Sequence, residues 1–228
     1  MKQSIMKKSL LLSLVLCINL CTHAQATDLV VDCQTPGWLS SKINYGDQQT
    51  VKNLKVTGYI NDEDLRFIGR LTQLNLNVVD LGEANILGNS WCGAFKHNKE
   101  WSRKTGYWYI TEYDYDYHLQ KLILPKSLEA YIEEEFTSEK QEVDTLVFDT
   151  QITSIENVFR RKIGHIQLGE NIDSIKVTLG RNLISAYLPS TLKYLNGGFT
   201  NALTDISQTN ISEFPSLEYM GNLCFVND

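Results

Sequence analysis

Between Gly88 and His118 the chain gathers side chains that could do chemistry. Nine of these 31 residues are aromatic (Trp91, Phe95, Trp101, Tyr107, Trp108, Tyr109, Tyr113, Tyr115 and Tyr117), in a chain that is 10% aromatic as a whole. Stacked Tyr and Trp rings bind sugars or peptides through large, rigid, amphipathic surfaces, and the same rings can instead pack as a local core. Trp108, Tyr109, Tyr113, Tyr115 and Tyr117 are therefore candidate ligand-binding residues, with a glycan as the fitting ligand. The run Tyr113-Asp-Tyr-Asp-Tyr-His alternates strictly. As a strand it would place three tyrosines on one face and Asp114, Asp116 and His118 on the other. A cation could sit on that acidic face. A calcium loop, however, brings more carboxylates and a glycine turn, so no metal is expected. Cys92 and His97 could act as nucleophile and base only if folding brought them together. The chain has no G-x-S-x-G, HExxH, P-loop or zinc-type Cys/His spacing. No catalytic residue and no cofactor is expected. Asp62, Glu63 and Asp64 read as negative charge at a helix N-terminus rather than as a carboxylate pair for acid–base work.

A second group of candidates depends on a repeat. The phrase Leu119-Gln-Lys-Leu122-Ile-Leu124 returns as Val143-Asp-Thr-Leu146-Val-Phe148, Ile163-Gly-His-Ile166-Gln-Leu168 and Leu183-Ile-Ser-Ala186-Tyr-Leu188. A worn copy, Leu203-Thr-Asp-Ile206-Ser-Gln208, follows. The first step is 24 residues and the next three are 20 each. A phrase of this kind at a period of roughly 20–29 residues predicts a leucine-rich-repeat solenoid, with one parallel strand per turn. The later two apolar residues of each phrase would point inward. Lys121, Thr145, His165, Ser185 and Asp205 would then form one exposed column, with Ile123, Val147, Gln167, Tyr187 and Ser207 beside it. Such a face is where solenoids commonly bind a protein partner. Ile123, Val147 and Tyr187 make it more apolar than solvation alone favours.

The rest of the chain supplies the supports. Val51-Lys-Asn-Leu54-Lys-Val56 and Leu76-Asn-Val-Val79-Asp-Leu81 are earlier copies, 25 residues apart. Between them, Asn61 to Asp64 predicts capping of a helix that runs to about Leu74 and buries Leu65, Ile68 and Leu71. Thr35 followed by Pro36 predicts another helix, from Pro36 to Ile43, closing the open end of the stack. Asp28–Asp32 reads as short extended chain. Twenty residues leave no room for a helix in each later turn, which predicts short extended or 3₁₀ segments opposite the sheet. These also repeat: Ile152, Ile155 and Phe159 match Ile172, Ile175 and Leu179, then Leu192, Leu195 and Phe199. Leu128–Phe136 is a close relative, and Leu217 to Phe225 a displaced copy.

Met1-Lys2, Lys7-Lys8, a 12-residue apolar run from Leu10 to Cys21 and a closing Ala24-Gln-Ala26 predict a secretory signal peptide cut after Ala26. The run is shorter than the roughly 20 residues that span a bilayer, and no later segment is long or apolar enough to do so. Cys17 and Cys21 lack the small preceding residue of a lipoprotein signal. The expected organisation is a signal peptide (1–26), then a cap, two repeats and the aromatic insert (27–118), then regular repeats (119–228), all one continuous domain from 27. Loss of three lysines with the signal takes the formal charge from −6 to −9. That excludes nucleic acid and anionic membrane surfaces as expected partners. Cys33, Cys92 and Cys224 would remain, odd in number, as one disulfide with a spare thiol or as half-buried thiols.

Taken together, the chain resembles the BspA-like leucine-rich-repeat proteins of bacterial surfaces. The residues that carry the resemblance are Pro36–Ile43, Val51–Ile68, Val79–Ile86, Leu122-Ile-Leu-Pro-Lys-Ser-Leu128 and Tyr187-Leu-Pro-Ser-Thr-Leu192. Most of Pro36 to Phe225 is covered. Phe148-Asp149 and Leu168-Gly169 depart from the pattern by lacking the proline. A host or matrix protein at the cell surface is the expected partner of the exposed columns, and the resemblance implies an exported adhesion or binding protein with no catalytic centre. It transfers no ligand.

Overall fold

The structure, a computed structural model, describes residues 27–87, 90–91, 96–104, 107–114, 117–131, 141–156, 162–176, 179, 183–196, 199, 209–210 and 216–221. In chain order the elements are β1 (Thr27–Cys33), α1 (Leu39–Lys42), α2 (Tyr45–Thr50), β2 (Val51–Ile60), α3 (Asp62–Thr72), β3 (Val78–Ile86), β4 (Ser90–Trp91), β5 (Lys96–Lys104) and β6 (Tyr107–Asp114). They continue with β7 (Tyr117–Ile123), β8 (Ala130–Tyr131), β9 (Gln141–Phe148), β10 (Ser154–Ile155), β11 (Lys162–Leu168), β12 (Ser174–Ile175), β13 (Ser185–Tyr187), β14 (Tyr194–Leu195) and β15 (Tyr219–Met220).

Seven strands form one parallel sheet in the order β1-β2-β3-β7-β9-β11-β13. The recurring phrase sets its register. Leu122 pairs with Leu146, Leu146 with Ile166 and Ile166 with Ala186, so each inward residue lies beside its counterpart one repeat away. The first apolar residue of each phrase is inward too: Leu119, Val143, Ile163 and Leu183 are all buried, as are Leu124, Phe148, Leu168 and Leu188. Each of these four phrases therefore inserts three side chains into the core, not the two expected. A second parallel sheet, β10-β12-β14-β15, is built from two-residue strands. Ile155, Ile175 and Leu195 lie in register there and are buried, matching the extended segments expected opposite the main sheet. Both sheets feed one hydrophobic core. The displaced copy at Leu217 joins this sheet through Met220, which pairs with Leu195 but is exposed.

The turns out of the main sheet explain the missing proline at Gly169. Leu128 N–H donates to Pro125 O, Ile172 to Gly169 O and Leu192 to Pro189 O, the same four-residue turn three times. At Gly169 the backbone N–H also donates to Phe148 O at 3.0 Å. Proline has no such donor. A Cβ at that position would also lie 2.7 Å from Asp149 Cα, which leaves glycine.

The first turns are thicker because they carry helices. Asn61 caps α3: its side chain accepts from Glu63 and Asp64 N–H, while Asp64 reaches back to Asn61 N–H, a reciprocal capping box. Leu65, Ile68 and Leu71 are buried as expected, with Phe67 beside them. The helix ends at Thr72, two residues before the expected Leu74. The helix expected at Pro36 starts later. Thr35 O instead accepts from Trp38 N–H in a turn, and only Leu39–Lys42 are helical. The reason is Gly37, whose φ of +85° is outside the helical region. A further short helix, α2, capped by Asn44, was not anticipated. Asp28–Asp32 belongs to a full sheet strand rather than a loose extension. At its end, Gly58 on β2 has φ +81°, and a Cβ there would sit 2.4 Å from Cys33 O.

Candidate functional site

The outward face of the seven-stranded sheet brings the two expected columns together. Ladder register aligns Lys121, Thr145, His165 and Ser185 in one row, and Ile123, Val147, Gln167 and Tyr187 in the next. Asp205 and Ser207 lie outside the described residues. The rows run further than the sequence reading took them. Asn53 and Val78 extend the first, and Lys55 and Asp80 the second, while β1 adds Asp28 and Val30. Seven strands at the usual spacing make a face about 29 Å long. Tyr187 (53% exposed), Ile184 (56%) and Val30 (69%) leave apolar surface open to solvent.

Polar side chains on this face are tied across strands rather than left loose. His118 Nε2 lies 2.8 Å from Asp144 Oδ1, Lys162 Nζ 2.5 Å from Glu142 Oε1, and His165 Nδ1 2.7 Å from Ser185 Oγ. On the earlier strands Lys55 Nζ meets Glu83 Oε1 at 2.5 Å. That hydrogen bond, with the lysine's charge, holds the Glu83 carboxyl below its ordinary range and raises Lys55 in turn. Asn53 donates to Asp28, and Thr57 and Gln34 both donate to Asp32. Ordered side chains of this kind present a preformed surface, which lowers the entropy cost of binding.

The contact between His165 and Ser185 has the atoms of a base–nucleophile pair but not their surroundings. Among the described residues no carboxylate is hydrogen-bonded to the His165 ring, and both side chains stand on an open sheet face. His118, expected beside Asp114 and Asp116, instead belongs to β7 and meets Asp144. Tyr117, its neighbour, is buried at the start of β7, so the main sheet resumes before the expected end of the insert. Trp108, Tyr109 and Tyr113 lie on β6, which pairs antiparallel with β5. Their side chains, and all of Tyr115, Asp116 and Cys92, lie outside the described residues. His97 falls on β5. Among the described residues no group of three His, Cys, Asp or Glu is placed to hold a metal ion. No described helix is long and apolar enough to cross a membrane.

Asp62, Glu63 and Asp64 occupy the first turn of α3 as expected, and Asp64 does more than cap. Its carboxylate, 1% exposed, also accepts from Gly37 N–H at 2.6 Å and Leu39 N–H at 2.9 Å. It thereby ties the segment after β1 to the helix. Cys33 is a buried free thiol that donates to Thr35 O. Burial pushes its pKa up and the Asp64 charge adds to this, so it is not an activated nucleophile. Cys224 lies outside the described residues.

Sequence reasoning missed Asp144, Gln120 and Ile184 on this face, although each phrase has two adjacent variable positions after its first apolar residue. It also missed Asp28, Asp32, Lys55, Asp80 and Glu83, which are outward residues of earlier strands. No protein-family model matches the chain, and no curated protein matches it.

Proposed function

We propose that the chain is a leucine-rich-repeat solenoid of the BspA-like surface-protein type, exported through its N-terminal segment and acting as a non-catalytic binding or adhesion protein. Its partner is a protein, of host or matrix origin, held on the outward face of the seven-stranded sheet. Support for the repeat reading comes from the six-residue phrase that recurs at 20-residue steps and from the in-register pairing of its equivalent positions. The observation that carries the binding reading is the continuous face itself. Its variable residues, Ile123, Val147, Gln167 and Tyr187, stack on one row, with apolar groups open to solvent between tied polar ones. Apolar surface arranged this way is characteristic of interaction sites.

The test is binding of the immobilised full chain to purified extracellular-matrix proteins and to a glycan array. Tyr187→Ala with Gln167→Ala is expected to remove protein binding. If that pair leaves binding intact while Trp108→Ala with Tyr109→Ala abolishes it, the sheet face is the wrong site.

A further inference from the structure

Charge is not spread evenly over the outward face. On β7, β9 and β11 it balances, because Lys121 and Lys162 match Glu142 and Asp144 in number, with Lys162 paired to Glu142. On β1–β3 it does not. Lys55 lies between Glu83 and Asp80, while among the described residues Asp28 and Asp32 on β1 are met by the uncharged side chains of Asn53, Thr57 and Gln34. Even with Lys52 set against them, carboxylates outnumber lysines on these three strands. Tyr59, 52% exposed, stands on the same face of β2, two residues beyond the Thr57 that holds Asp32. Carboxylates beside an open aromatic ring suit a cationic side chain, which can pair with the first and lie over the second.

We infer that the partner of this face is a polypeptide presenting cationic side chains, arginine foremost, to β1–β3, and apolar ones to Ile123, Val147 and Tyr187. The inference rests on the sheet face being the docking surface and names the chemistry that docks there. Charge complementarity carries it. A neutral glycan or an acidic polypeptide laid over these strands would cover Asp28 and Asp32 with no countercharge, and a covered, unpaired carboxylate is costly. A cationic partner replaces the lost water with ion pairs. The apolar row at the far end then asks for side chains that a simple polycation lacks.

The experiment uses the full chain and three fluorescein-labelled synthetic peptides of equal length and equal leucine and tyrosine content. They carry arginine, glutamine or glutamate at the same alternating positions. Anisotropy titrations are run on the wild type, on Asp28→Asn/Asp32→Asn/Asp80→Asn, and on a charge-matched control by the second sheet, Glu156→Gln/Asp173→Asn/Glu218→Gln. Circular dichroism and melting curves check that each variant folds. The arginine peptide is expected to bind most tightly, to weaken about tenfold in the face variant, and to keep its affinity in the control. Equal weakening in both variants means general attraction to an acidic chain and overturns the inference. So does the absence of binding by all three peptides. Equal binding of all three that is lost in Tyr187→Ala overturns the cationic partner while the docking face stands. Arginine-peptide binding that resists both the face variant and Tyr187→Ala overturns the docking face and the inference with it.

Discussion

Replacing Asp64 by asparagine removes a buried carboxylate that accepts three backbone N–H groups. One carboxylate oxygen receives Gly37 N–H at 2.6 Å and Asn61 N–H at 3.0 Å; the other receives Leu39 N–H at 2.9 Å. An asparagine has one acceptor oxygen and one amide nitrogen. In its better orientation it keeps Gly37 and Asn61 and turns its NH₂ against the Leu39 N–H. One buried donor then loses its partner and faces another donor, and two hydrogen bonds lose their charge. At about 1–3 kcal/mol for the stranded group, the expected loss is about 2–3 kcal/mol. Alanine strands all three donors and should cost about 3–5 kcal/mol. Urea denaturation followed by circular dichroism measures the totals. Hydrogen exchange at Gly37 and Leu39 shows whether the loss is local, since both amides should open before the strands of the main sheet. A stability of Asp64→Asn within about 0.5 kcal/mol of wild type, with slow exchange at Leu39, would refute the claim that this carboxylate joins the cap to the helix.

Other substitutions test the frame. Gly58→Ala forces a side chain into φ +81° and to 2.4 Å from Cys33 O. It should destabilise by more than about 2 kcal/mol in a thermal melt, well beyond the ordinary glycine-to-alanine effect. Asn210→Ala removes a side-chain amide that accepts from Leu188 N–H and donates to Leu188 O. A loss of about 1–2 kcal/mol is expected, with faster exchange at Leu188 than at Leu168. For Lys55 and Glu83 the shifts fix the pH window. Glu83, lowered, stabilises above the ordinary carboxylate value of 4.5 and loses this as pH falls through its folded value. Lys55, raised, stabilises below the ordinary lysine value of 10.5 and loses this as pH rises through its folded value. In Lys55→Met, an NMR titration should therefore find the Glu83 midpoint moved up toward 4.5.

The later strands were legible because one phrase carries both burial and register. Leu122, Leu146, Ile166 and Ala186 occupy equivalent phrase positions and equivalent ladder positions, so a step of 24 and then steps of 20 along the phrase give the pairing. The second-sheet residues Ile155, Ile175 and Leu195 were legible for the same reason. What stayed hidden depends on contacts remote in sequence. Leu29-Val-Val31 lacks the phrase, and its strand identity comes from pairing with β2. The late start of α1 follows from the glycine turn at Gly37, whose N–H is held by Asp64, 27 residues away. The outward columns were legible as positions. The pairing of His118 with Asp144 was not, because 26 residues separate them and the ladder sets His118 opposite Glu142 rather than Asp144. The acidic bias of β1–β3 was visible as residues but not as one surface, since nothing local says that Asp28, Asp32 and Asp80 look the same way.

Register at a fixed offset also has a mechanical meaning. Among the described residues, β11 and β13 pair with strands about one repeat away in sequence, and beyond β13 come the Ala186–Thr209 bridge and the Asn210 amide. Tension applied through the C-terminus meets the two-residue β15, then that amide and the short β13, before any longer strand. Rows of this kind separate singly, the outermost first, rather than all together. Each freed repeat of 20 residues adds about 70 Å of chain. A tether built this way would lengthen in steps under load and shorten again when the load falls, keeping its earlier strands folded while the last ones yield.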